Sequence, residues 1–290
     1  MDRNELQDSP ILIVGAGRSG SKMLRGILNH APQTVMFPRE INYIWRHGNA
    51  SFPSDELGVG QARPEVASFI RKRFRKLGIR AGGRRVIEKT CANSLRVPFI
   101  HAIFPEAHII HLIRDGRAVA ESARRRWLAP PDARYLLEKS RWVPLVDLPY
   151  YGLRFMRFQM ARLSGKQGSP SSWGPRFSGM ESAIREYSLL EVCGIQWRAC
   201  VQAASQAAES LPVGQVTTVR YEKLVQDPIA VSRELFARLG LTFDETVKSY
   251  LETNLTTRHV DKWQDRLTGE DHYRLLAHIA DELRAQGYNV

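Results

Sequence analysis

A chain of 290 residues, 43% hydrophobic and 25% charged, has a globular composition and enough length for one large α/β domain with insertions. Its first residues, MDRNELQDSP, lack the apolar core of a signal peptide, and no run approaches the ~18 apolar residues of a membrane span, so a soluble, cytoplasmic protein is expected. The formal net charge of +12 favours anionic partners; the basic residues are spread along the chain without a nucleic-acid module, which points to a small charged ligand and not to nucleic acid. Cys91, Cys193 and Cys200 form no metal-binding spacing, and an odd count of 3 argues against a disulfide framework.

After a loose lead-in over residues 1–10, Ile11, Leu12, Ile13 and Val14 read as a strand buried on both faces, and Met23, Leu24, Ile27 and Leu28 recur at helical spacing. Between them, Gly15, Gly17 and Gly20 permit a tight turn whose amides, with the positive end of the helix, converge on one point. Arg18, Ser19, Ser21 and Lys22 add side-chain donors. The loop departs from the triphosphate pattern G-x-x-x-x-G-K-[ST], because Ser21 stands where the lysine belongs and Lys22 comes one place late, so an ATP- and magnesium-dependent phosphotransferase is disfavoured. A ligand-free strand-to-helix connection is the bland alternative. As G-x-G-R-S-G-[ST]-x-x-L, the loop resembles the 5′-phosphosulfate loop of the sulfotransferases that use 3′-phosphoadenosine 5′-phosphosulfate (PAPS), with Lys22 replacing a customary hydroxyl.

Thr34 to Phe37 offers a second short strand, followed by Pro38-Arg39-Glu40-Ile41-Asn42-Tyr43. Ligands of open parallel sheets bind beyond the carboxyl ends of the strands, which places Glu40 on the same rim as the glycine loop. A solvated loop glutamate is the plain reading. R-E-I-N-Y resembles the K-E-x-x-[FY] stretch of glycan sulfotransferases, and the resemblance implies that Glu40 is the catalytic base. Residues 46–63 read as a polar surface loop, and Glu65 to Leu77 as an amphipathic helix with a solvated basic face. Arg84 to Lys89 reads as a strand. E-K-T-C-A-N resembles the family's E-K-T-P-x-N, implying that Lys89, with Arg18, stabilises charge on the leaving phosphate; a plain ion pair of Lys89 with Glu88 or Glu40 is the alternative. Cys91 stands where cytosolic phenol and steroid sulfotransferases carry a catalytic histidine, which favours Glu40 as base and the glycan, tyrosylprotein and bacterial branch; the thiol itself reads as a small buried group.

Leu95 to Phe104 reads as a helix and His108 to Ile113 as a buried strand. His101, His108 and His111 match no metal-ligand spacing, so no metal is expected. The strand runs into Arg114-Asp115-Gly116-Arg117-Ala118-Val119-Ala120-Glu121-Ser122, where a strand-end arginine and a serine two turns into a helix can meet at one phosphate. Arg114 and Ser122 resemble the family's 3′-phosphate pair; Asp115 reads equally well as a helix cap. Residues 124–182 are irregular, yet Trp127, Trp142, Tyr150, Tyr151, Phe155, Phe158 and Trp173 are too aromatic for a linker. This insertion is expected either to cover the acceptor side of the cleft or to pack on a neighbouring subunit of a homodimer.

Glu181 to Leu211 reads as one helix and Val216 to Val219 as the last inner strand. The following R-Y-E-x-L resembles a sulfotransferase element whose tyrosine lies near the adenine, although Tyr221 also suits a core. Val231 to Leu239 reads as a helix, Arg258 and Lys262 lie in a stretch resembling the carboxyl-terminal loop over the 3′-phosphate, and Glu270 to Gln286 reads as the final helix. The expected fold is α/β: a three-layer, P-loop-like parallel sheet in a single domain over 1–290, with helices on both faces. The expected activity is transfer of the sulfuryl group of PAPS to an acceptor hydroxyl, releasing adenosine 3′,5′-bisphosphate (PAP). A glycan or lipid-linked sugar is preferred as acceptor over protein tyrosine or a small phenol, with positive charge mildly favouring an acidic one. A catalytically silent nucleotide-binding module is the remaining alternative.

Overall fold

A computed structural model of the chain describes residues 9–129, 173–255 and 262–290. Five strands, β1 (Ile11–Val14), β2 (Thr34–Met36), β3 (Arg85–Lys89), β4 (His108–Ile113) and β5 (Val216–Arg220), form one sheet in the order β2-β3-β1-β4-β5. Every neighbouring pair is parallel, with Ile13 opposite Lys89, Val14 opposite His111 and Ile113 opposite Arg220. The expected α/β architecture is therefore present, and the functional loops leave from the carboxyl ends of β1, β3 and β4, side by side.

β1 is central, and its alternation serves two cores. Ile11 and Ile13 pack with α1 (Ser21–Leu28), α8 (Tyr221–Gln226), α9 (Pro228–Leu239) and α10 (Glu245–Asn254). Leu12 and Val14 face α2 (Asn42–Trp45), α3 (Pro64–Arg80), α4 (Val97–Ile103) and the end of α7 (Leu189–Ser210). A third cluster joins α5 (Gly116–Leu128), α6 (Met180–Glu186), α7 and α11 (Gly269–Ala285) beside the rim. All four β1 residues are at most 1% exposed, and each such aliphatic side chain contributes roughly 1.5–3 kcal/mol by leaving water.

Several elements differ from the sequence reading. The helix expected from Glu181 is two helices, because Ser188 and Glu191 form a reciprocal cap that starts α7 anew. The helix expected from Leu95 begins at Val97, after a 3₁₀ turn over Cys91–Leu95. α10 was not anticipated; Asp244 caps it, and only Val247 and Leu251 are buried along its length. The stretch 46–63 is less superficial than its polarity suggests, since Arg46, Asn49, Ser54 and Asp55 are all buried.

Among the described residues, no helix is long and apolar enough to cross a membrane. Trp142, Tyr150, Tyr151, Phe155 and Phe158 of the insertion lie outside the described residues, as does Arg258.

Candidate active site

The glycine loop begins at the carboxyl end of β1. The Gly15 N–H donates to Ser94 Oγ at 2.7 Å, and a Cβ on Gly15 would lie 2.5 Å from the Leu112 carbonyl oxygen, so no other residue fits. Arg18 and Gly20 both take left-handed backbone conformations, with φ of 77° and 92°. Arg18 is the single non-glycine residue with positive φ among the described residues. The turn is closed by Ser19 N–H on the Ala16 carbonyl at 3.2 Å, and Gly20 starts α1, whose first N–H groups have no intrahelical acceptor. Ser19 is 1% exposed and its Oγ has no hydrogen-bond partner. A buried hydroxyl left so costs about 1–3 kcal/mol, which is the mark of a group shaped for something that arrives later. Ser21 is buried, with Oγ 3.8 Å from Cys91 Sγ; Lys22 is exposed on α1.

Arg114, at the end of β4, is fixed from three sides. Its carbonyl accepts the Trp197 indole N–H at 3.0 Å, its Nη1 donates to the Arg18 carbonyl at 3.1 Å, and its guanidinium lies 4.2 Å from the centre of the Tyr221 ring. Tyr221 in turn fills the space beside Gly20, where a Cβ would meet its ring at 2.5 Å. Arg18 Nε donates to Ser122 Oγ at 3.0 Å, so the glycine loop, Arg114, Ser122 and Tyr221 form one cluster. Burial, together with the charges of Arg114, Arg125 and Arg126, holds the Arg18 pKa below its ordinary value, although Arg125 is itself paired with Glu121 at 2.6 Å. Asp115 does cap α5, accepting the Arg117 N–H at 2.8 Å. Lys262 is exposed, and its neighbour Trp263 lies under Arg117, 4.4 Å from guanidinium to ring centre.

On the β3 side of the same rim, Lys89 Nζ is bonded to Glu40 Oε1, and Cys91 Sγ donates to the same oxygen at 3.5 Å. Glu40 is thus two contacts from the glycine loop, through Cys91 and Ser21. Burial alone would depress the Lys89 ammonium, but Cys91 and Glu40 beside it raise its pKa, so it stays charged. Burial pushes the Cys91 thiol up to about 11, which leaves it a hydrogen-bond donor and a poor nucleophile. Cys193 and Cys200 are buried in α7.

Behind this pair lies a polar network that sequence reasoning did not find. Asp55 is held by Arg46 at 2.9 Å and by Arg96 at 3.7 Å. Its N–H also donates to the Arg176 carbonyl, and its Oδ2 accepts the Arg176 N–H, at the return end of the insertion. Burial opposes its charge, but Arg96, the Arg176 N–H and Arg46 keep its pKa below the ordinary value. The same return segment sets Trp173 over the glycine loop, 3.4 Å from where a Gly17 Cβ would stand. His101 and His108 bond separately to Gln215 and Thr217, and no group of acidic, histidine or cysteine side chains among the described residues could hold a metal ion.

A glycine cradle, an orphaned serine hydroxyl and mutually repelling arginines suit a ligand carrying phosphate at two places. The sequence profile of the sulfotransferase family matches residues 10–136 and 171–245, leaving 137–170 unmatched within the insertion. No curated protein sequence matches the chain. Among solved structures, the fold is similar to the sulfotransferase domain from the curacin biosynthetic pathway (TM-score 0.56, 15% identity, 97% of this chain and 98% of that one). It is similar also to sulfotransferase STF9 from Mycobacterium avium (0.56, 12%, 100% and 80%) and to mouse sulfotransferase SULT7A1 complexed with PAP (0.50, 13%, 96% and 85%). With both halves of the rim matched to that profile and the same fold in these enzymes, the chain belongs to the sulfotransferase family and is a PAPS-dependent sulfotransferase.

Proposed function

We propose that this chain moves the sulfuryl group of PAPS to the hydroxyl of a glycan or lipid-linked sugar, with Glu40 as general base. The observation that supports this reading is the place of Glu40, reached through Cys91 and Ser21, on the same rim as a glycine loop whose buried Ser19 hydroxyl has no protein partner; the Lys89–Glu40 ion pair, the plain alternative for Lys89, is present as well. The donor supplies an activated sulfuryl group and a phosphate leaving group. Ser19, Ser21 and the loop amides would hold the 5′ end; Arg114, Ser122 and Arg18 would hold the 3′-phosphate. The cradle and the cation cluster fit both. Tyr221, Lys22, Arg258 and Lys262 are further candidates for the nucleotide. Glu40 takes the proton from the acceptor oxygen, and Lys89 and Arg18 oppose the negative charge that gathers as the sulfuryl group leaves. The net charge of +12 favours an acidic acceptor.

The test compares nucleotides first and acceptors second. PAP should raise the melting temperature at micromolar concentration, ATP with magnesium should not, and release of PAP from PAPS should rise with a sugar acceptor in a panel of glycosides, phenols and tyrosyl peptides. Stabilisation by ATP with magnesium alone would overturn the donor, and turnover of phenols or tyrosyl peptides alone would overturn the acceptor.

A further inference from the structure

Glu88 precedes Lys89 on β3, and the two-residue period of a strand sends neighbours to opposite faces. Lys89 reaches Glu40 at the rim, whereas Glu88 turns inward and is 0% exposed. Its Oε1 accepts the Thr90 hydroxyl at 2.5 Å and its Oε2 accepts Asn93 Nδ2 at 2.8 Å. Each donor leads to the residues that follow Glu40. Thr90 Oγ1 also accepts the Ile41 N–H at 3.1 Å. Asn93 Oδ1 accepts Arg96 Nε at 2.9 Å, and Arg96 Nη2 donates to Asn42 Oδ1 at 2.5 Å. Ile41 is therefore held by its backbone and Asn42 by its side chain, and both lines end on one carboxylate. Stability does not explain such a group: an apolar residue of similar size is usually no worse in a core, and burial here pushes the Glu88 pKa up to about 7.

We propose that Glu88 is a positioning residue for the reaction: through Thr90, and through Asn93 and Arg96, it fixes residues 41 and 42 and so aims the Glu40 carboxylate into the cleft. The inference rests on the reading of Glu40 as base. A small misplacement of a reacting group is enough to cost one to two orders of magnitude in rate.

The experiment uses Thr90→Val, Thr90→Ser, Glu88→Gln and Glu40→Gln. Turnover is measured as PAP release from PAPS with the best acceptor of a panel of alcohols, phenols and glycosides, or with water where none is better. Thr90→Val should lower kcat about tenfold, with KM for PAPS and affinity for PAP within about twofold, and should remove the hydrogen-exchange protection of the Ile41 amide. Thr90→Ser should restore both, and Glu88→Gln should follow Thr90→Val. If Glu88→Gln does not fold, the two Thr90 variants decide the matter. The proposal falls if Thr90→Val keeps wild-type kcat, if it loses PAP affinity in step with kcat, or if serine fails to rescue. An inactive Glu40→Gln beside a fully active Thr90→Val removes the positioning role alone; an active Glu40→Gln removes the base and this inference with it.

Discussion

The two halves of the cleft are built on opposite electrostatic plans. On the β1 and β4 side, burial and then the charges of Arg114, Arg125 and Arg126 lower the proton affinity of Arg18, and the buried Ser19 hydroxyl has no hydrogen-bond partner. On the β3 side Lys89 is paired with Glu40, Glu88 with Thr90 and Asn93, and Asp55 with Arg46 and Arg96. On the reading proposed above, the first half takes the anionic donor and the second holds the base, so binding and chemistry would fall to different strands of one sheet.

Substitutions should separate the halves. Glu40→Gln should cut kcat by about a thousandfold and leave PAP affinity within about twofold, by titration calorimetry and PAP release; a comparable loss of affinity would merge the two halves. Glu88 should govern a pH effect confined to the β3 side. Its folded pKa of about 7 lies above the ordinary 4.5, so the folded state binds that proton more tightly. The associated stability is fully present below about pH 4.5, is lost as pH rises to about 7, and amounts to about 3 kcal/mol. Urea unfolding at a series of pH values should show this slope, and Glu88→Gln should flatten it. Arg114→Ala should weaken PAP binding by about 10- to 100-fold, and lysine should not substitute, because it neither forks nor lies flat on Tyr221. Unchanged affinity would remove Arg114 from the donor half. The smallest effect has two signs: Ser19→Ala should lose about fivefold in PAP affinity while the free protein gains up to ~1 kcal/mol, since an unbonded hydroxyl is gone. A less stable free protein would show that this hydroxyl already serves the fold.

Much of this was legible in the chain. β1 and β4 are unbroken apolar runs between turn signals, and the words GAGRSG, REINY, EKT and RDGRAVAES carry Arg18, Glu40, Lys89, Arg114 and Ser122 to one rim. What escaped has physical reasons. Glu88 and Lys89 look like a simple charge pair until strand alternation sends them to opposite faces. The motif pairs Arg114 with Ser122, but their spacing does not reveal that Arg18 reaches the serine. Asp55 sits in a polar, Pro- and Gly-containing stretch that reads as surface, and its burial depends on Arg96, which is 41 residues distant, and on Arg176. α10 has too thin an apolar stripe to announce itself, and the apolar positions on either side of Ser188 hide the break there.

The crowding of Arg18 by Arg114, Arg125 and Arg126 also bears on kinetics. Positive potential concentrated at a cleft draws anions in faster than neutral molecules, by about tenfold or more at low ionic strength, and the advantage fades as salt shortens its range to about 8 Å. The bisphosphate left after transfer is as highly charged as the donor, because the phosphate oxygen freed from sulfur takes up the charge that departs. A field that speeds capture of a nucleotide by the cleft also slows its escape, so dissociation of PAP should quicken as salt is added.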